Sequence, residues 1–215
     1  SFLADLGAEV IRIESTGVFI PMTRGTRAHP TEAEVKSTPG FAGGLPGRTP
    51  GARPWNRFPG FNAHGRNKLS MTVDLLRPEG MDVFRRLVEI SDVFVENNAT
   101  ETMEKLGISF EMLQEQNPEI IMLRMPAYGS TGPYRNFRAY GLHMEGVIGH
   151  TLLRGYPGMD PSNTTSVLVA DAAAGTQGAF AVLAALHYRR RTGKGQLIEL
   201  GQAENTIPYL GQFLL

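Results

Sequence analysis

VLVADAAAGTQGAFAVLAALHYRRRTGKGQLIEL, residues 167–200, decides how the chain folds. Its middle reads as one long helix, because Ala172 to Ala174 and Ala179 to Leu186 are strong helix formers. Asp171 stands where an N-cap is expected, so its carboxylate would accept the first free backbone N–H groups. Arg189, Arg190 and Arg191 fall in the last turn, where cations suit the negative end of the helix dipole. Thr192-Gly-Lys-Gly195 stops the helix, and Gln196 to Leu200 resumes as a short strand.

The same alternation runs through the rest of the chain. Ser1 to Gly7 reads as the tail of a helix capped by Gly7, and Ala8 to Glu14 follows as a buried parallel strand. Lys68 to Asp74 alternates as a strand should, and Pro78 opens a helix with Met81, Phe84, Leu87 and Val88 on one face. Asp92 to Glu96 is a short strand, Glu101 to Leu106 a helix, Ser109 the cap of another, and Glu119 to Met125 a further strand. Strands alternating with helices predict an α/β fold with a doubly wound, mostly parallel sheet. Residues 15–66 break the pattern as an irregular excursion with Pro39-Gly40, Gly43-Gly44, Pro46-Gly47, Pro50-Gly51 and Pro59-Gly60 as turn punctuation. Trp55 and Phe58 are expected to pin this excursion to the body. Its arginines (Arg24, Arg27, Arg48, Arg53, Arg57 and Arg66) either meet phosphates or decorate a solvated loop. The fragmentary helix at Ser1 and the apolar Phe213-Leu214-Leu215 suggest an internal piece of a longer chain.

Composition removes whole classes of function. Lys and Arg number 21 against 21 Asp and Glu, without the basic excess that marks nucleic-acid binding. With no cysteine there are no disulfides and no thiolate metal sites, which suits a reducing, cytoplasmic setting. His29, His64, His150 and His187 lack ligand-like spacing, so no metal is expected. No signal peptide is recognised, and no apolar run is expected to approach the roughly 20 residues of a membrane span. A hydrophobic content of 41% is enough for a real core, and the expectation is a soluble protein without a membrane partner.

Asp171 has two readings. It is a capping residue, or it is an ionised, accessible carboxylate beside small residues (Ala172, Ala173, Ala174, Gly175) that let a bulky ligand approach, and hence a nucleophile. Spacing alone does not choose between them. Asp171 with its small-residue helix, Leu183-Ala-Ala-Leu186 and Arg191-Thr-Gly-Lys-Gly-Gln196 resemble the family III CoA-transferases, the relatives of formyl-CoA and carnitine CoA-transferases. Further matches come in the family's order: Leu3 to Glu14, Asn67-Lys68 with Val73-Asp74, Pro78-Glu-Gly80, Asp92 to Asn97, and Gly129-Ser-Thr-Gly-Pro-Tyr134.

The resemblance implies that residues 1–200 form the Rossmann-like, CoA-binding large domain, incomplete at both ends. Residues 201–215 would then start a helix leading to an absent second domain. It implies Asp171 as the catalytic residue, with Val73, Leu75, Leu76, Asn97, Asn98 and Ala99 around the adenine and ribose of CoA. Lys105, where relatives often have Arg, would face the phosphates, and Arg138 and Tyr140 would border the pantetheine and thioester. CoA would be a substrate rather than a resident cofactor, the partner a second copy in an interlocked homodimer, and the location cytoplasmic. The implied chemistry passes through an aspartyl mixed anhydride. Gly129, Ser130, Gly132 and the first turn of the Asp171 helix are candidate donors to its oxyanions.

Some positions depart from the family. Gly141 replaces the acid that follows the matching tyrosine in formyl-CoA transferases, Ser15 replaces a cation, and the lysine seen at the Leu76 position is missing, with Arg77 adjoining. Two other readings stand beside the transferase. One is an α-methylacyl-CoA racemase-like acid–base enzyme, although Tyr140 occupies its histidine position and His143 lies three residues on. The other is a nucleotide-binding or interaction module without catalysis. The strand-to-helix junctions lack Gly-x-Gly-x-x-Gly, which argues against a dinucleotide dehydrogenase.

Overall fold

The computed structural model describes residues 1–15, 17, 23–25, 27–38, 44–163 and 168–213. Val167, the Pro39-Gly40 turn, Gly43, Leu214 and Leu215, all invoked above, lie outside the described residues. The chain divides into two compact units, Ser1–Met81 and Asp82–Leu215.

In the first unit, α1 (Phe2–Asp5) turns through Gly7 into β1 (Ile11–Glu14). β1 pairs in parallel with β2 (Leu69–Thr72), register Ile11 to Leu69. The excursion between them is less irregular than its punctuation suggests. It contains α2 (Glu32–Ser37), single 3-10 turns at Pro46–Arg48 and Pro54–Asn56, and α3 (Pro59–Gly65). α2 forms because Thr31 and Glu34 make a capping box, each side chain taking the other's backbone N–H. Trp55 packs edge-on against His29, with ring centroids 5.0 Å apart. Arg24 does the pinning: its guanidinium lies 3.6 Å from the centre of the Phe61 ring and donates to the carbonyl of Trp55, the side chain of Asn56 and the carboxylate of Glu14.

The second unit is a parallel three-stranded sheet in the order β3-β4-β5, built from β3 (Val93–Glu96), β4 (Ile121–Arg124) and β5 (Gln196–Glu199). α4 (Pro78–Glu89) leads into it, setting Phe84 edge-on against Phe94. α5 (Thr100–Leu106) and α6 (Phe110–Gln116) connect β3 to β4, and Ser109 caps α6 by accepting from the Met112 N–H. β4 is the central strand, and Ile121, Met122 and Leu123 are buried because both faces of the sheet are covered. Among the described residues, the α-helices after β4 are, in chain order, α7 (Gly141–Val147), α8 (His150–Leu153), α9 (Val169–Thr192) and, beyond β5, α10 (Gln202–Thr206). The fold is thus mixed α/β with parallel strands, as the alternation predicts.

α9 is the long helix of residues 167–200, and two expectations about it change. At 24 residues it is long and apolar enough, by length and composition alone, to cross a membrane. Its apolarity comes mainly from alanines, and Ala170, Ala173, Ala174, Gly178, Val182 and Ala185 are buried within the unit. The second change is that Asp171 is not the N-cap. Leu168 holds that position, and Asp171 is the third residue of the first turn. The far end follows expectation: Gly193 adopts φ 69°, ending the helix with its N–H on the Arg189 carbonyl. Arg189 does more than balance the dipole, because it binds the Asp92 carboxylate at 2.5 Å and the carbonyls of Asp92 and Glu119 at 3.3 Å, at the entrances of two strands.

Candidate active site

The N-terminus of α9 is held from outside. Glu145 on α7 is fully buried, and its Oε1 accepts the N–H groups of Val169 at 2.7 Å and Ala170 at 3.2 Å. Its other oxygen meets Arg154 Nη1 at 2.7 Å and His150 Nδ1 at 3.0 Å. Glu145 therefore does the capping that the sequence assigns to Asp171, which explains why Asp171 is not required there. The Asp171 side chain is exposed, as are Ala172 and Gly175. Beside it stands the start of α7: a methyl group on Gly141 would sit 1.9 Å from Asp171 Oδ2 and 3.0 Å from its Cγ. Met144, Ala170 and Ala203 form the apolar floor joining α7, α9 and α10, with Ala127, Tyr128, Ala139 and Ile148 against it.

The C-terminal edge of the three-stranded sheet carries a charged rung, Glu96, Arg124 and Glu199, paired in register. Arg124 Nε donates to the buried Glu96 carboxylate at 3.0 Å, and the same carboxylate accepts from the Asn98 N–H at 2.8 Å. The Asn97-Asn98-Ala99 loop is thereby shaped by Glu96, with Asn97 and Asn98 exposed. Lys105 and Arg138 meet on one acid: Glu101 accepts from Lys105 at 3.0 Å and from Arg138 at 2.8 Å. These bonds, from Arg138 first and then Lys105, hold the Glu101 carboxyl below the ordinary range for a glutamate. Both cations are largely exposed, so the pairs contribute little to stability.

Tyr140 is 64% exposed and leads into α7, where its N–H is taken by His143 Nδ1 at 3.1 Å. In the first unit, Val73, Leu75 and Leu76 follow β2, and Leu76 is 82% exposed. Asp74 shapes that loop by accepting the Leu76 N–H at 3.1 Å and pairing with Arg77 at 3.5 Å. The arginines of the excursion are mostly engaged at home: Arg24 with Glu14, Arg27 with Glu34, Arg57 with the carbonyls of Pro46 and Thr49, and Arg66 with Asp5. Among the described residues, no group of three His, Asp or Glu side chains converges as a metal site would.

The model of "CoA-transferase family III" matches residues 1–215. The chain belongs to CoA-transferase family III. It is 34% identical over 205 residues to the succinyl-CoA–D-citramalate CoA-transferase of Chloroflexus aurantiacus, covering 95% of this chain and 45% of the relative. It is also 35% identical over 162 residues to the human α-methylacyl-CoA racemase, covering 75% of this chain and 42% of that one. A CaiB/BaiF family crystal structure from Brucella suis superposes with a TM-score of 0.78 at 32% identity, over 98% of this chain and 50% of the other. The chain spans about half the length of the curated relatives it matches.

In this family III chain, two proposed oxyanion donors are already committed. The Ser130 N–H donates to Glu199 Oε1 at 2.8 Å, and the first N–H groups of α9 go to Glu145. Glu145 itself escaped the sequence reading. One signal was present: it is the single acid between Glu119 and Asp160, set in a run of mostly apolar residues, which marks a carboxylate bound for the interior.

Proposed function

We propose that the complete protein carrying this chain moves CoA from an acyl-CoA donor to a carboxylic acid, with Asp171 as the nucleophile. The observation that carries this reading is an exposed carboxylate in the first turn of α9, among small residues, in a chain of this family. An Asp171 oxygen attacks the thioester carbonyl; a C–O bond forms, the C–S bond breaks, and CoA leaves as thiolate. The thiolate attacks the aspartyl carbonyl of the anhydride, releasing the donor acid and leaving CoA on Asp171. The acceptor carboxylate displaces that thiolate to make a second anhydride. The thiolate then attacks the acceptor's acyl carbon, restoring the Asp171 carboxylate. Each attack builds an oxyanion; the N–H groups of Ser130, Val169 and Ala170 are taken by Glu199 and Glu145, and Gly129 and Gly132 are the glycine donors of the expected set.

Lys105 and Arg138 would exchange Glu101 for CoA phosphates, and the Asn97-Asn98-Ala99 loop, with Asn97 and Asn98 exposed, would take the nucleotide end. The relatives' names point to succinyl-CoA and short dicarboxylic acids as the first substrates to try. A homodimer of the complete, cytoplasmic protein belongs to the same proposal. The test is a panel of acyl-CoAs and free acids read by mass with the complete protein. Asp171→Asn should lower turnover by about 10³-fold or more and abolish hydroxylamine-trapped acyl-enzyme; retained turnover would defeat the reading.

The racemase relative gives a second reading its one support. Here the matching histidine position is Tyr140, and His143 uses Nδ1 to receive the Tyr140 N–H. Deuterium exchange at the α-carbon of a 2-methylacyl-CoA would favour that reading over transfer.

A further inference from the structure

We infer that one face of α7, carrying Gly141 and Glu145, positions the Asp171 carboxylate. The inference rests on the reading of Asp171 as nucleophile. Residues four apart share a helix face, so these two address the start of α9 together. Glu145 divides its work between its oxygens. Oε1 binds the two N–H groups immediately before Asp171 in the chain, while Oε2 is held by Arg154 and His150. The carboxylate is completely buried and cannot turn without breaking charge-assisted bonds on both sides, so the first turn of α9 is fixed to α7.

Gly141 supplies the other half. The Asp171 carboxylate occupies the space that any side chain at 141 would fill, since a Cβ there would stand 1.9 Å from Oδ2. The absence of that Cβ lets the carboxylate rest against the α7 backbone. Neither residue needs to touch the thioester; both act through where they hold Asp171. Displacing a reacting group by about 1 Å costs about 10²-fold in rate, and that sets the scale of the effect.

The test uses the complete protein, a donor and acceptor pair it turns over, and three variants read by kcat, KM, trapped acyl-enzyme and thermal midpoint. Glu145→Asp keeps the charge facing His150 and Arg154 but withdraws the oxygen from α9 by one methylene. Glu145→Gln keeps the reach and loses the charge. The expected result is a fall in kcat of about 10²-fold for Glu145→Asp at unchanged KM, with a smaller loss for Glu145→Gln. Gly141→Ala, which favours helix, should keep the thermal midpoint and lower kcat by about tenfold or more. Folded Glu145→Asp or Gly141→Ala protein with the parent's kcat overturns the inference, as does a lowered midpoint with unchanged kcat per folded molecule. If Glu145→Asp does not fold, Gly141→Ala decides by the same measures. Turnover by Asp171→Asn would sink the nucleophile itself, whereas an inactive Asp171→Asn beside unaffected α7 variants sinks only the positioning.

Discussion

A carboxylate near a helix start serves the helix or serves a ligand, and its neighbours decide which. At the start of α9 a second acid, Glu145, accepts the first N–H groups, those of Val169 and Ala170. The other informative carboxylate is Glu14, at the end of β1. Burial pushes its carboxyl up, but hydrogen bonds from Arg24 and Ser70 and the charge of Arg12 outweigh this and hold it below the usual range. A group whose folded value is depressed contributes stability above its unfolded value, about 4.3, and that contribution is lost as pH falls through the folded value. Glu14→Gln should therefore cost roughly 1–3 kcal/mol at neutral pH. It should also flatten the acid limb of stability below about pH 4.3, checked by urea titrations from pH 7 to pH 3. An unchanged limb would remove Glu14 from the account. Asp171 is legible as a candidate only through the family's ordered motifs, since an acid before a helix is ordinarily a cap, and the N-cap position expected of it belongs to Leu168. The capping acid lies 24 residues from Val169, and no local spacing reveals such a partner.

At the scale of elements, strand and helix were readable wherever burial imposes a period. β4 is continuous and apolar because both faces are covered, and α4 shows its stripe at Phe84 and Val88. The excursion was harder. The Thr31–Glu34 capping box and Pro59 at the first turn of α3 are signals, yet they sit among Pro-Gly pairs that read more strongly as turns. Close packing was also hidden. Gly178 lets α9 approach β4 so nearly that a Cβ would lie 2.9 Å from Met125 Sδ and 3.1 Å from Leu123 Cδ2. Gly178→Val should overpack this contact and destabilise by about 1–3 kcal/mol in chemical unfolding; a neutral result would mean that Met125 simply swings aside. The α5 cluster makes the opposite kind of prediction. Since Glu101 occupies both Lys105 and Arg138, Glu101→Gln should leave stability nearly unmoved and tighten CoA binding severalfold at low salt, an effect that titration calorimetry at rising salt should erase. Weaker binding would show that Glu101 organises the cations instead of competing for them.

The whole molecule comprises two α/β units, each with its own parallel sheet, and it spans about half the length of its curated relatives. Its alternating architecture is legible outside the excursion at 15–66, whose helices and 3-10 turns are not. The division at Met81 was not, because α4 runs through the boundary and its periodicity gives no sign of it. Neither composition nor periodicity carries any trace of the ligand; only the family's ordered motifs do, and that makes ligand linkage the informative measurement at this scale. A ligand that binds only the folded state stabilises it by RT ln(1 + [L]/Kd), about 2.7 kcal/mol at a hundredfold excess over Kd. CoA should raise the thermal midpoint of the complete protein, rising further with each tenfold in concentration, while NAD should leave it in place. Desulfo-CoA should protect nearly as well, since the proposed anchors face the nucleotide and phosphates and not the thiol. Protection by NAD equal to that by CoA would point to a general nucleotide site. No protection by either would leave the Asn97–Ala99 and Lys105–Arg138 surfaces without a ligand and remove CoA recognition from their account.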